Sequence, residues 1–415
     1  MGIHPENLIV GVDIGSSKVA VIVAERDGAG ALDFLDGIVM PMRGIRQGVV
    51  VDIHEASGAL AHAFEVIEER FDHHLNQVTV NIGGRHIRSR LSYGRWTASG
   101  REILDTDIDR AAQDAKNRLA IDSTYEIIHE VPRTYVLDGQ AGVRDPRGLT
   151  GFQLEAEVHY TTGASATITN LERAIRSAGL IPMMFVASPV AAGEAVRLGH
   201  SDQECFVVAD IGAETTSIAA YVDGAIWASG VEARGGKEII RDVARQFHLP
   251  LEVAEDLLTT YGTCAPGIGD PDEFEIVPLP GQANGNTIVP RAELARVIRE
   301  RAENFATAIA PVISNLRNAG YDPDTLVLTG GTAALDGLDT LLANLLEVPA
   351  ERGLPKGISG MPQTLAGAAL TAVGLALWHA RYQHYHRNEP STGASELLTR
   401  MRRLIRNMRP TTAHA

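Results

Sequence analysis

Residues 8–25 read LIVGVDIGSSKVAVIVAE, and residues 205–222 read CFVVADIGAETTSIAAYV. In both, an apolar, β-rich run ends in Asp-Ile-Gly, a short polar turn follows, and a second β-rich run begins, which is the pattern of a hairpin. The later copy continues through a turn at Asp223-Gly224 into another strand from Ala225. Two copies this far apart imply a duplicated α/β unit, since the repeats of a solenoid are only about 20–50 residues long. A third signal is LVLTGGT at 326–332, an apolar strand running into a diglycine and then a helix near Asp336. Glycines there let backbone approach a ligand closely, and the N–H groups of a helix start can face an anion. Amphipathic helices are predicted between these strands. One covers 55–71, with Leu60, Phe64, Ile67 and Phe71 on one face; another covers 291–316, with Leu294, Val297, Ile298, Phe305, Ile309, Val312 and Leu316. Alternating strands and helices place the chain in the α/β class.

The 415 residues correspond to two or three domains at about 150 residues each. With 45% hydrophobic and 21% charged residues, a disordered or fibrous chain is excluded. Cys205 and Cys264 are the only cysteines, too few for a disulfide framework or a cysteine-rich metal site. The N-terminus lacks the basic and apolar regions of a secretory signal. The longest apolar run, 365–378, falls short of the roughly 20 residues that cross a bilayer and reads as a packed core helix. The histidines of 379–386 (HARYQHYH) lack the cysteine or carboxylate spacing of a metal site and read as a solvated helix end.

A net charge of −15 argues against nucleic acid as a partner, yet the charge is uneven. After a polar linker at 388–395 (NEPSTGAS), residues 396–409 read ELLTRMRRLIRNMR, with five arginines and one glutamate. Leu397, Leu398, Met401, Leu404, Ile405 and Met408 form one apolar stripe at helical period, flanked by Arg402, Arg403 and Arg406, and Ser395 suits the N-cap. Such a helix lies in the plane of an anionic membrane with its arginines reaching back to water. The other readings are that it docks on the acidic body of its own chain or in a partner's groove.

Taken together, Asp13-Ile14-Gly15-Ser16-Ser17-Lys18, Asp210-Ile211-Gly212 and Thr329-Gly330-Gly331-Thr332 resemble the two phosphate loops and the adenosine motif of the actin, heat-shock chaperone and sugar kinase superfamily. Residues 127–196 select the branch. DGQAGVRDPRGLTG at 138–151, NLERAIRSAGL at 170–180 and ASPVAAGEAV at 187–196 resemble the bacterial cell-division FtsA family, and the likeness covers about residues 8–380 plus the tail. It implies an actin-like α/β fold: two lobes, each with a ribonuclease-H-like core, an inserted small α+β subdomain and a C-terminal amphipathic helix. The implied division is 1–83 for the first lobe (subdomain 1A), 84–164 for the insertion (1C) and 165–198 for the return to 1A. The second lobe then takes 199–230 (2A), 231–320 (2B) and 321–360 (return to 2A). A closing helix of 1A at 361–387, the linker at 388–395 and the membrane helix at 396–409 complete the chain.

The resemblance also implies ATP and Mg²⁺ in the cleft between the lobes. Main-chain and hydroxyl groups of Gly15, Ser16, Ser17, Gly212, Thr215 and Thr216 would clasp the phosphates, with Lys18 as a point charge. Asp13 and Asp210 would hold Mg²⁺ through water. Gly235 and Gly236 would close over the phosphates, and Gly330, Gly331 and Thr332 would lie near the adenosine. The implied role is to tether polymers of the tubulin-like FtsZ to the cytoplasmic face of the inner membrane at the division site. Recruitment of later divisome membrane proteins and self-assembly into actin-like protofilaments go with it. Arg296, Arg299, Arg301 and Asn304 are the expected contacts for the acidic C-terminal peptide of FtsZ.

The sequence departs from the family pattern at specific points. The second loop is usually DIGGGT-x-D, but here Ala213 and Glu214 replace glycines and Ser217 replaces the aspartate. Glu214 sets a carboxylate where a polyanion should approach, Ala213 restricts the turn, Leu258 stands where a lysine is common, and Lys237 stands where an acidic or polar residue is usual. Weak or absent ATPase activity is therefore expected. The RGGKE at 234–238 is no P-loop, because Val231 holds its first glycine position and no Ser or Thr follows Lys237. Two rival readings remain: a sugar or acyl kinase of the same superfold, which needs a carboxylate base and a sugar-binding insert, and an FtsA-related pilus-assembly scaffold.

Overall fold

The computed structural model describes residues 7–27, 31–200, 204–265, 276–278 and 288–387. The predicted linker and the predicted helix at 396–409 lie outside the described residues.

The duplication read from the two hairpins extends to whole sheets. In the first, Leu8–Ile14 pairs antiparallel with Lys18–Arg26, which pairs antiparallel with Leu32–Pro41; on its other edge Leu8–Ile14 runs parallel to Gln77–Ile82, which runs parallel to Ile181–Ala187. In the second, Cys205–Ile211 pairs with Thr216–Val222 and then Ala225–Glu232, and on its other edge lie Thr325–Thr329 and Ala350–Arg352, both parallel. The order of these five strands is the same in both, and the first sheet adds Ile358–Ser359, parallel to Leu32–Pro41 at its edge. The leading strands are nearly continuous apolar runs because helices cover both faces of each sheet.

Helix Ser188–Arg197 is the centre of the packing, with nine of its ten residues buried and only Arg197 half-buried. Its small residues allow this. A Cβ on Gly193 would lie 2.2 Å from the Tyr221 hydroxyl in the second sheet, and a Cβ on Gly374 would lie 1.8 Å from the Ala191 carbonyl oxygen. One core cluster consequently runs from Val12 and Phe64 through Val190 to Phe206 and Val327, joining the lobes. The predicted 365–378 helix is in fact two pieces, Gln363–Ala366 and Leu370–Arg387. The break leaves the Ala368 carbonyl free for the cleft.

Helix Ile53–Phe71 is capped by Asp52, whose carboxylate accepts the Glu55 N–H at 3.0 Å. Helix Arg291–Asn318 contains Pro311, and beyond it the buried residue is Ile313 and not the expected Val312, which is half-buried. Spacing of four and then three residues from Ile309 through Ile313 to Leu316 keeps the stripe on one face.

Between the first and third helices an antiparallel sheet is inserted, in the order Arg88–Glu102, Thr150–Ala164, Tyr125–Leu137 and Gln140–Val143. Helix Asp105–Arg118 covers one face so closely that a Cβ on Gly94 would meet the Ala111 carbonyl oxygen at 1.9 Å. The 138–151 motif is the corner of this sheet. Asp138 and Gly139 both take positive φ, and the Asp138 carboxylate accepts the N–H groups of Phe152 (3.0 Å) and Gln153 (2.7 Å) across a bulge.

Candidate functional site

The two Asp-Ile-Gly turns have the same hydrogen bonding. Gly15 N–H donates to the Lys18 carbonyl at 3.0 Å, and Gly212 N–H donates to the Thr215 carbonyl at 2.9 Å; the flanking pairs are Ile14 with Val19 and Ile211 with Thr216. Asp13 therefore corresponds to Asp210, Ser16 to Ala213, Ser17 to Glu214, and Lys18 to Thr215. Thr216 corresponds to the fully buried Val19, and like it points into the core: its hydroxyl donates to the Arg234 carbonyl at 2.8 Å. The expected phosphate contact from the Thr216 hydroxyl is thus corrected; strand alternation takes it to the opposite face from Thr215.

Between the turns opens a cavity of about 540 Å³. It is lined by Asp13, Gly15, Ser16, Ser17, Lys18, Asp210, Gly212, Thr215, Gly236, Gly330, Gly331 and Thr332. Gly235 does not line it. A Cβ there would lie 2.5 Å from the Ala213 carbonyl, so this glycine lets the second turn rest on the start of helix Gly236–Phe247. The helix's first N–H groups are used in that contact, Gly236 donating to Gly212 O (2.9 Å) and Lys237 to Ala213 O (2.8 Å). Thr332 donates its hydroxyl to the same Gly212 carbonyl at 3.0 Å. Gly330 has φ 86°, and a Cβ there would lie 2.4 Å from Asp210 Oδ1. Gly331 faces open space, and the far wall is apolar with Ile240, Leu258 and Leu335.

Asp13 and Asp210 face each other at the cleft floor. Burial, reinforced by the Asp210 charge, pushes the Asp13 carboxyl up to about 7, with Lys18 acting against it. Burial also raises Asp210, against Lys18 and the Thr371 hydroxyl, which donates to it at 3.2 Å. Lys18 Nζ donates to the Ala368 carbonyl at 2.7 Å. Sequence reasoning missed Asn81: it accepts the Ile14 N–H at 2.7 Å and donates to Asp13 Oδ1 at 2.6 Å and to Ser188 Oγ at 3.2 Å. Its only sequence signal is a polar residue at the end of the apolar run QVTVNI, just before Gly83-Gly84.

These residues fit a nucleotide with a hydrated cation. Two carboxylates raised by burial, Asp13 also by the Asp210 charge, suit a Mg²⁺ that keeps several waters, and the glycine-lined turns leave room for phosphates beside Ser17 and Thr215.

Glu214 does not stand as an uncompensated charge. Its Oε2 accepts the Gln47 N–H at 2.8 Å, and its Oε1 pairs with Lys237 Nζ at 3.1 Å. Burial works to raise this carboxyl, but the Gln47 N–H and Lys237 outweigh it and hold the group below its ordinary range. Two of the departures from the family pattern thus answer each other.

The four residues expected to meet a peptide do not form one exposed face. Arg299 donates to the Cys264 carbonyl at 3.0 Å and to that of Ala265, and Arg301 pairs with Asp242 and Glu238. The Asn304 carbonyl accepts from Arg234 at 3.1 Å. Arg296 is exposed and pairs with Glu300 at 2.6 Å.

No helix among the described residues is long and apolar enough to cross a membrane. A family model described as "SHS2 domain inserted in FTSA" matches residues 84–162, and one described as "Cell division protein FtsA" matches 207–374. Cell division protein FtsA of Pseudomonas aeruginosa is 31% identical over 356 residues, 85% of this chain and 84% of that protein. Among solved structures, a chain of a PilM-PilN type IV pilus biogenesis complex aligns with a TM-score of 0.63 at 20% identity, covering 90% of this chain and 98% of that one. MreB5 of Spiroplasma citri bound to ADP aligns at 0.54 with 11% identity, covering 92% and 99%. These two likenesses concern the fold, which is actin-like. The inserted sheet, the paired hairpins and the sequence likeness over most of both chains agree: this chain belongs to the FtsA family of bacterial cell-division proteins.

Proposed function

We propose that this chain is a membrane adaptor of the division apparatus: it holds FtsZ polymers at the cytoplasmic face of the inner membrane, recruits later divisome membrane proteins, and assembles with itself into actin-like protofilaments. Family membership carries this reading. In the cleft, Asp13 and Asp210 would hold Mg²⁺ through water, and the turns at Gly15–Lys18 and Gly212–Thr215 would hold the phosphates of ATP. When bound, the nucleotide supplies a charged bridge between lobes already joined through helix Ser188–Arg197. The wall at Ile240, Leu258 and Leu335, with Glu255 and Asp336 also lining the cleft, takes the base chiefly by apolar contact. Turnover is weak or absent: Ser217, 4% exposed, stands where the family carries a carboxylate, which leaves Asp210 alone at this end of the second turn.

The amphipathic segment 396–409 supplies the membrane contact. Arg296 is exposed whereas the other three peptide candidates are half-buried, so it is the one assigned to the acidic FtsZ peptide. Liposome co-sedimentation tests the reading. Intact protein carries the FtsZ C-terminal peptide into the pellet with anionic vesicles, and protein lacking residues 391–415 leaves it in solution. Protein that binds vesicles but leaves the peptide behind would contradict the adaptor role.

A further inference from the structure

The Glu214–Lys237 pair sits on the boundary between two cavities. On one side is the cleft described above. On the other is a polar cavity of about 380 Å³ that shares Ala213, Glu214 and Lys237 with the cleft and continues to Arg46, Glu238 and Arg241. The pair also spans the lobes. Glu214 comes from the second lobe and accepts the N–H of Gln47 in the first, while Lys237, also from the second, reaches the Ser16 carbonyl in the first phosphate turn at 3.4 Å. An ammonium beside the Ser16 carbonyl stands next to the place where the terminal phosphate of a bound nucleotide would lie. Glu214, at the position equivalent to Ser17, cannot stay beside that phosphate without like-charge repulsion.

Glu214 has somewhere else to go. Arg241 and Arg46 are exposed on the far side of the polar cavity, and neither has an ion pair in the structure among the described residues. The Arg241 charge already acts on the Glu214 carboxyl. Lys237 and Glu214 thus have two arrangements available, each leaving both charges partnered.

We propose that Lys237 is a ligand for the terminal phosphate of a nucleoside triphosphate, and that Glu214 is the counter-ion it releases, turning to Arg241 and Arg46 as the phosphate arrives. This rests on the nucleotide reading of the cleft. In the empty protein Glu214 stands in for the phosphate, pairing with Lys237 and tying the second turn to Gln47 of the first lobe, while Lys237 reaches the first turn. In the loaded protein the phosphate makes the bridge, and the polar cavity holds the carboxylate. The pair thereby makes the cleft sensitive to the third phosphate, because a diphosphate does not extend far enough to displace Glu214.

The test is equilibrium binding of a non-hydrolysable triphosphate analogue and of the diphosphate, with Mg²⁺, to the full chain and to Glu214→Gln and Lys237→Met. Glu214→Gln is expected to tighten the triphosphate about tenfold, the scale of one partly screened charge contact, while changing the diphosphate less than about twofold. Lys237→Met is expected to abolish the preference for triphosphate over diphosphate, and Lys237→Arg to restore part of it. If both nucleotides bind and neither substitution moves their ratio, the exchange is overturned and the nucleotide reading stands. Equal weakening of both nucleotides by Lys237→Met makes the lysine structural and also overturns it. Failure of wild type and Glu214→Gln to bind either nucleotide overturns both readings.

Discussion

His129 and His159 lie on the strands that root the inserted sheet in the first lobe, and the structure predicts that they make the protein acid-sensitive in a calculable way. His129 is 6% exposed and accepts the Ala187 N–H at 2.9 Å, one residue before the buried helix Ser188–Arg197. His159 is 1% exposed and sits within hydrogen-bond distance, 2.7 Å, of Ser89 Oγ. Burial is the main cause that lowers both, to about 3 for His129 and about 4 for His159, and each loses further from a nearby positive charge. A histidine lowered on folding contributes stability that is fully present above its unfolded value of about 6.5 and is lost as pH falls toward the folded value. Between pH 7.5 and 5.5 each therefore removes about 1.4 kcal/mol, or about 2.7 kcal/mol for the two. Other groups titrate in that window, so the informative quantity is the slope difference between wild type and His159→Gln, whose side chain still hydrogen-bonds Ser89. Urea unfolding at pH 7.5 and 5.5 should show the variant losing about 1.4 kcal/mol less than wild type on acidification. Parallel losses would refute the burial of a neutral His159 at the root of the insertion.

Asp210→Asn should weaken Mg²⁺-nucleotide binding about tenfold or more and leave binding without Mg²⁺ as strong or stronger, since it removes a charge that faces the phosphates; isothermal titration with and without EDTA checks this. Arg299→Ala should cost about 1.5–3 kcal/mol in denaturant unfolding through its two carbonyl contacts, whereas Arg296→Ala should leave stability within about 0.5 kcal/mol and weaken the FtsZ peptide. Gly374→Ala forces a methyl against the Ala191 carbonyl and should destabilise by about 1–3 kcal/mol; an unchanged unfolding midpoint would contradict the helix contact.

What the sequence revealed follows from how far apart the interacting residues lie. Each hairpin is local, so its strands, its turn and the duplication were readable directly, and the Asp138 corner marked the insertion because its hydrogen bonds span only 14 and 15 residues. The floor of the cleft was not readable. Asn81 meets Asp13 across 68 positions, Lys18 meets Ala368 across 350, and Thr371 meets Asp210 across 161, and no local pattern signals such pairs. Thr216 was misplaced because the phase of a strand is fixed by register, and only the pairing with Ile211 shows which of two adjacent threonines faces the cleft. Glu214 and Lys237 were each visible as departures, but as separate ones; helix Gly236–Phe247 brings them together. Arg296, Arg299 and Arg301 were expected together as peptide contacts because helical period alone does not show that a neighbouring loop and helix take up two of them.

We propose that this chain couples FtsZ polymers to a lipid surface. The most direct test is fluorescence imaging of labelled FtsZ polymers over a supported anionic bilayer, with intact protein and with protein lacking residues 391–415. Polymers should be held on the bilayer by intact protein and stay free in solution with the truncated form. Polymers that stay in solution while intact protein coats the bilayer would contradict that coupling.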